Sequence, residues 1–95
     1  MRSIDNAMTD VAAKYRGLTY DVETTQSPTQ HILTVYNECA PGSYLKIEVH
    51  DVNGMPVALV LQKVNVGRRS MARFLDRLLD ALEDTTASPP SGQPP

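Results

Sequence analysis

The chain has little of the chemistry on which disulfide-bonded or membrane-spanning proteins are built. It has 95 residues, with one cysteine, no tryptophan and one phenylalanine. The single cysteine, Cys39, excludes an intrachain disulfide and is typical of a reducing compartment. No apolar run reaches the ~18 residues of a membrane span, and no signal-peptide pattern is present. We therefore expect a cytoplasmic protein with no membrane partner.

Signatures of catalysis and of cofactor binding are also missing. The two histidines, His31 and His50, have no spacing that pairs either of them with Cys39 as nucleophile and base. Two scattered histidines do not supply the convergent ligands that a metal ion needs. The glycines form neither a P-loop nor a dinucleotide fingerprint. We predict no catalytic residues, no metal, no cofactor and no enzymatic activity.

Positive charge is scarce overall but concentrated in one part of the chain. The formal net charge of −2 argues against a generally basic nucleic-acid binder. Residues 44–77, however, carry six basic against three acidic residues. A local basic patch can bind anions even when the net charge is negative. The alternative is an ordinary solvated surface of mixed charge.

The length fits one small domain followed by a tail. We expect a single α+β domain over residues 1–86. Residues 87–95 consist of Ala, Ser, Pro, Gly and Gln, a composition that predicts disorder. A domain of this size buries only about 60% of its unfolded surface, so dimerisation would help to stabilise it.

The first half of the chain predicts one helix and two strands. Residues 4–15 have apolar side chains at helical spacing, with Ser3 as N-cap and Gly17 as the stop. Residues 18–23 alternate between apolar and polar side chains, and residues 31–38 are rich in strand formers.

The second half begins with a hairpin. Two apolar-rich runs, 44–50 and 57–64, flank Asn53-Gly54, a strong signal for a type I′ turn. Pairing across that turn places residues whose numbers sum to 107 opposite one another. One face is then apolar on both strands and is predicted to pack on the C-terminal helix: Leu45, Ile47 and Val49 opposite Gln62, Val60 and Ala58.

The other face of the fourth strand is predicted to be apolar opposite polar partners. Val57, Leu59 and Leu61 lie on it, opposite His50, Glu48 and Lys46. Because this strand is apolar on both faces, we expect both faces to be covered. The N-terminal helix or a second copy of the chain could supply that cover.

The C-terminal helix is predicted from Ser70, as N-cap, to Asp84. Its charges run against the helix dipole, with arginines first and acids last. Arg69, Arg73 and Arg77 form one row, and Arg68 lies just outside the helix, as would Arg69. Two interpretations remain open: ion pairs with Asp76 and Asp80 on the same helix, or a row that faces an anion together with Lys46 and Lys63.

These elements predict an α+β fold of order α-β-β-β-β-α, a four-stranded antiparallel meander with two helices in two layers. The simplest layout places both helices on one face. Four antiparallel strands followed by an amphipathic helix, with the basic run Gly67–Met71 before it, resemble the PC4-like, Whirly and PUR single-stranded nucleic-acid-binding domains. The resemblance implies a dimer that holds single strands through Tyr36, Tyr44, Lys46 and Lys63 by stacking and charge.

Two classes of function follow from the sequence. The first is a homodimeric, transcription-related module that binds single-stranded nucleic acid through those four residues and Arg68, Arg69, Arg73 and Arg77. The second is a protein-interaction module, such as an adaptor, an inhibitor or a secretion-type chaperone, that uses Val57, Leu59 and Leu61. Both are expected to be non-enzymatic.

Overall fold

A computed structural model describes residues 1–83 and shows the predicted α+β architecture. The elements are α1 (Ile4–Ala12), β1 (Leu18–Thr24), β2 (Gln30–Asn37), β3 (Tyr44–Val52), β4 (Met55–Val64) and α2 (Arg68–Leu82). The strands form one antiparallel sheet in the order β1-β2-β3-β4. The predicted domain end at residue 86 and the predicted tail, 87–95, lie outside the described residues.

Helix α1 begins where the sequence predicts and ends earlier. The Ser3 hydroxyl accepts a hydrogen bond from the Asn6 backbone N–H at 3.1 Å, which confirms the predicted N-cap. The helix ends at Ala12 rather than Tyr15, and a turn leads to Gly17, whose φ of +73° suits a residue without a Cβ. The side chains that α1 buries are Ile4, Ala7, Met8 and Val11.

The hairpin of β3 and β4 has the predicted turn. Asn53 and Gly54 both adopt positive φ, 53° and 87°, as a type I′ turn requires. The predicted register holds from Ile47 to Val52, so that Ile47 lies opposite Val60.

The predicted register is wrong for the first three residues of β3. A shift between Lys46 and Ile47 places Lys46 opposite Gln62 and Leu45 opposite Lys63, one residue off the prediction. An extra residue of this kind is a β-bulge, which hydrophobic alternation alone does not reveal. Leu61 therefore no longer pairs with Lys46.

The N-cap of helix α2 lies three residues before Ser70, the predicted N-cap. Gly67 is the N-cap and has no side-chain capping bond, whereas Ser70 is the third helical residue. The expectation that Arg68 and Arg69 lie outside the helix is therefore wrong, because both are in its first turn. The helix ends at Leu82, before the predicted Asp84, which lies outside the described residues.

Both helices pack on the same face of the sheet, as the simplest layout predicts. The core is formed by α1, the three inner-face positions of β3, two residues of β2 and one side of α2. Its sheet and α2 members are Leu33, Val35, Leu45, Ile47, Val49, Phe74, Leu78 and Leu82. The opposite face of the sheet, which we call the open face, is covered by neither helix, so α1 does not cover the second face of β4.

Candidate protein-interaction surface

Most of the exposed large apolar side chains lie together at one edge of the sheet. We call this group the apolar edge surface. Its members are Val52 (50% exposed), Met55 (60%), Val57 (42%), Leu59 (52%), Val60 (40%) and Leu61 (48%). The stretch from Val52 to Leu61 contains no charged residue, so a patch of this kind is a candidate binding surface.

The two edges of the sheet differ in chemistry. β1, at one edge, exposes Asp21 and Glu23 to solvent. β4, at the other edge, is ten residues long and has one charged side chain, that of Lys63. Charged residues on an edge strand discourage pairing with another chain. Charged side chains therefore protect the middle of the β1 edge against pairing with another chain. The β4 edge has no charged side chain between Pro56 and Lys63.

Val57 and Leu59 of the apolar edge surface lie on the open face, on the same side of the hairpin as Val52 and Met55. Val57 is opposite His50 and Leu59 is opposite Glu48 on β3. Directly opposed residues of an antiparallel pair project from the same face, and His50 and Glu48 alternate with the buried Val49. The prediction that Val57 and Leu59 lie on the face opposite to Leu45, Ile47 and Val49 is therefore confirmed.

Val60 lies on the helix-covered face but is not covered. Its partner on β3, Ile47, is 0% exposed, whereas Val60 is 40% exposed. The expectation that the C-terminal helix buries this position is wrong: α2 contacts β4, and Ala58 of β4 packs against the core, but Val60 stays exposed. β4 is consequently exposed on both of its faces.

A polar cluster borders the apolar edge surface on the open face. Glu48 Oε1 is 2.7 Å from His50 Nε2, and Gln30 Nε2 donates to Glu48 Oε2 at 2.8 Å. The hydrogen bond from His50 is the main reason that the pKa of Glu48 lies below its usual value; partial desolvation acts in the opposite direction, and the bond from Gln30 lowers the pKa further. The cluster holds a carboxylate in place beside Leu59.

The register shift separates the two lysines of the predicted anion site. Lys46 alternates with buried Leu45 and Ile47, so it belongs to the open face. Lys63 is opposite Leu45 and so belongs to the helix face, where its ammonium group donates to the Val66 carbonyl at 3.2 Å. The structure does not bring these two lysines together on one surface.

The predicted stacking tyrosines do lie next to each other. Tyr36 and Tyr44 are paired across β2 and β3, with ring centroids 6.4 Å apart at an angle of 45°. Tyr36 is 40% exposed. On the same face, Thr34 and Gln62 flank Lys46 on its two neighbouring strands. This part of the open face is polar and aromatic, with a single cation.

The arginines belong to the helical layer, away from the open face. Within residues 1–83, none of Arg68, Arg69, Arg73 and Arg77 has a carboxylate within salt-bridge distance. The predicted ion pairs of Arg73 with Asp76 and of Arg77 with Asp80 are therefore not formed. Arg77 lies over the Tyr15 ring, 5.8 Å from its centroid, a cation–π contact.

Arg73 and Arg77 line a groove between α1 and α2 of mixed charge. The groove has a volume of about 470 Å³ and its other charged side chains are Asp10, Lys14, Asp76 and Asp80. Asp10 already pairs with Arg2 at 2.9 Å. Three carboxylates among six charged groups make this groove a poor match for a polyanion.

The side chains that could take part in catalysis or metal binding lie far apart. Cys39 follows β2, whereas His31 is the second residue of β2 and His50 lies opposite Gln30 at that same far end. The length of β2 therefore puts about 20 Å between the thiol and either imidazole. In the described part of the chain, no group of three or more His, Cys, Asp or Glu side chains could hold a metal ion. No described helix is long and apolar enough to cross a membrane.

A cavity of about 250 Å³ opens at the end of the sheet below the first turn of α2. Tyr15, Tyr44, Met71 and Phe74 are among its lining residues, none of which is Asp, Glu, His, Cys, Lys or Arg. The Tyr15 hydroxyl is buried and has no hydrogen-bond partner in the described residues. The cavity therefore offers a ligand no acidic, basic or thiol side chain.

No protein-family model, curated protein or solved structure matches this chain. Sequence reasoning found Val57, Leu59 and Leu61 but missed Val52, Met55 and Val60. A usable signal was present, because the last strand of a meander always lies at a sheet edge. The uncharged stretch between Val52 and Leu61 then marks that edge as exposed and apolar.

Proposed function

We propose that this chain is a non-enzymatic protein-interaction module that binds a protein partner through the apolar edge surface. One observation carries the proposal: six of the seven exposed large apolar side chains of residues 1–83 lie between Val52 and Leu61. Contiguous exposed apolar surface is typical of protein interfaces and uncommon elsewhere on small domains. Such clustering favours a binding role over a solvating one.

The surroundings of this surface support the same function. Interfaces have an apolar centre depleted in charge and a polar rim. The centre here is Val57 and Leu59, and the cluster of Gln30, Glu48 and His50 lies on its inner border. A cytoplasmic location is part of the proposal, because the free, exposed Cys39 suits a reducing compartment.

Site-specific photo-crosslinking tests the proposal. A photoreactive amino acid replaces Leu59 in one variant and Thr19, exposed on the same face at the opposite edge, in a matched control. In the cells that naturally produce the protein, we expect position 59 and not position 19 to form an adduct of discrete mass with another protein. Equal adducts at both positions, or only adducts of twice the chain's own mass at position 59, would overturn the proposal.

Single-stranded nucleic acid is the second candidate partner. It is supported by the Tyr36–Tyr44 pair beside Lys46 on the open face, because aromatic rings can stack on bases. It has less support than a protein partner, because Lys46 is the only lysine or arginine among the strand residues of that face. Asp21 and Glu23 of β1 share the face, and the arginines lie on the helical layer.

A salt titration separates the two candidates. If the open face binds a single strand, affinity for a labelled oligonucleotide falls steeply with added salt, and Tyr36→Ala and Lys46→Glu weaken it. Arg73→Glu, on the helical layer, is the control and leaves binding unchanged. Absence of binding at low salt would eliminate the nucleic-acid function.

A further inference from the structure

We propose that the β4 edge pairs with β4 of a second copy of this chain. The two strands run antiparallel about a two-fold axis at Leu59, and the two sheets become one sheet of eight strands. The proposal deepens the proposed function, since it names an occupant for the apolar edge surface. It uses the backbone edge of β4, however, and does not depend on a different protein binding to the open face.

The exposure of Val60 indicates an occupant along the edge of β4 as well as any partner on the open face. A partner resting on the open face alone would cover Val57 and Leu59 but would leave Val60, on the helix face, in contact with water. A partner that adds a strand beside β4 covers side chains on both faces of β4. A second copy supplies that strand and places its own α2 on the same side as Val60.

The turn geometry tells which backbone groups of β4 point outwards. In a two-residue hairpin the residues flanking the turn, Val52 and Met55, form a hydrogen-bonded pair, and such pairs alternate with non-hydrogen-bonded ones. Pro56 then falls in a non-bonded position, which suits a residue without an N–H. By the same alternation, the N–H and C=O groups of Ala58 and Val60 point away from β3.

A two-fold axis at Leu59 gives these outward-pointing N–H and C=O groups hydrogen-bond partners. Ala58 then lies opposite the partner's Val60, and Val60 opposite the partner's Ala58, so that each pair exchanges backbone hydrogen bonds. Leu59 faces its own copy in a non-hydrogen-bonded pair. The small Ala58 side chain leaves room for the partner's Val60 on the helix face, and the two Leu59 side chains meet on the open face.

The distribution of charge favours pairing through β4 over pairing through β1, and antiparallel over parallel pairing. Antiparallel pairing about Leu59 sends the two Lys63 side chains to opposite ends of the joint strand pair, whereas parallel pairing would place them side by side. The same operation on β1 would set the exposed Asp21 and Glu23 against acidic residues of the second copy. β4 is thus the edge that is complementary to itself.

The dimer would also enlarge the surface offered to another protein. The Val57 and Leu59 side chains of the two copies become neighbours and form one apolar band along the middle of the joint open face. The polar cluster around Glu48 then borders the band on both sides. An apolar centre between two polar borders is the usual organisation of a protein-binding surface.

Disulfide trapping tests whether the two-fold axis lies at Leu59. In a Cys39→Ser background, Leu59→Cys places each new thiol beside its copy, with Cα atoms about 4.5 Å apart, within the range of a disulfide. The matched control, Val57→Cys, lies on the same face of β4, but the two-fold axis puts its copy about 13 Å away. Under mild oxidation we expect a linked dimer at position 59 and not at 57. Equal linking at both positions would overturn antiparallel pairing at Leu59.

Mass measurements on the unmodified chain provide the second test. Sedimentation of the wild type should show a dimer, and Val60→Lys, which adds a charge at the paired edge, should raise the dimer dissociation constant at least tenfold while circular dichroism stays unchanged. A wild-type monomer throughout the accessible concentration range would overturn the dimer. A disulfide-linked dimer at position 59 with no foreign adduct in cells would support self-pairing and overturn only the proposed function.

Discussion

Val60 lies directly opposite Ile47 on the neighbouring strand and on the same face of the sheet, yet Ile47 is 0% exposed and Val60 is 40% exposed. The two residues belong to the same face of the same hairpin. Their difference arises because β3 has neighbours on both sides and β4 has none on its outer side. The boundary between the core and the apolar edge surface therefore runs between these two residues.

That boundary predicts unequal costs for two similar truncations. Ile47→Ala removes buried side-chain atoms and leaves a cavity, so we expect it to lower the free energy of unfolding by about 2–5 kcal/mol. Val60→Ala removes side-chain atoms that already contact water, and it should cost less than about 1 kcal/mol at dilutions where the chain is monomeric. Urea denaturation measures both values. Comparable losses in the monomer would mean that Val60 is buried in the core.

The two helices predict different responses to the loss of a serine at their beginnings. Ser3→Ala removes the hydroxyl that caps α1 and should destabilise the protein by about 1 kcal/mol. Ser70→Ala is the matched control, because Ser70 lies inside α2 and makes no capping bond. We expect it to change stability by less than about 0.5 kcal/mol, measured by the same denaturation. A larger loss at Ser70 than at Ser3 would reverse the assignment of the caps.

The features that could be predicted from the sequence are those governed by nearby residues. The cap at Ser3 and the turn at Asn53-Gly54 depend on the conformational preferences of a few adjacent positions. The alternation of Leu45, Ile47 and Val49 likewise fixes which side of β3 meets the helices. In each case the local preference agrees with the fold, so a short window of sequence was sufficient.

The features that could not be predicted depend on the whole sheet. The shift between Lys46 and Ile47 leaves the apolar alternation of β3 intact, so nothing in β3 reveals it. Val60 lies on the helix-covered face of the edge strand, and whether the helices cover it there depends on the assembled sheet. The start of α2 at Arg68 lacks a capping side chain, and residue preference alone favours the nearby Ser70 as N-cap.

The first turn of α2 can be improved by a single substitution. Arg68 and Arg69 oppose the helix dipole there, at about 0.3–1 kcal/mol each, and Gly67 offers no side chain to cap it. Gly67 has an extended backbone, and a Cβ added to it would meet nothing within 4 Å. We expect Gly67→Asp to stabilise the protein by about 0.5–1 kcal/mol, as measured by thermal and urea denaturation. Gly67→Ala, which adds the Cβ without a cap, should stabilise it less or destabilise it.

The polar cluster around Glu48 predicts a dependence of stability on acid pH. Because the folded protein lowers the pKa of Glu48, the unfolded chain binds a proton more readily than the folded one. The stabilisation is therefore present above the usual glutamate pKa of ~4.3 and is lost as the pH falls through the lower folded pKa. The urea midpoint measured between about pH 3 and pH 7 should show this loss, and Glu48→Gln should reduce it.

The two partners of Glu48 should contribute unequally to this acid response. The hydrogen bond from His50 lowers the pKa of Glu48 most, and the bond from Gln30 lowers it less. We therefore expect His50→Ala to reduce the acid-dependent loss of stability more than Gln30→Ala does. A carbon-detected NMR titration of the Glu48 carboxyl group should show the same order, with the larger upward pKa shift in the His50 variant. If Gln30→Ala had the larger effect in both measurements, the amide would be the main stabiliser of the carboxylate.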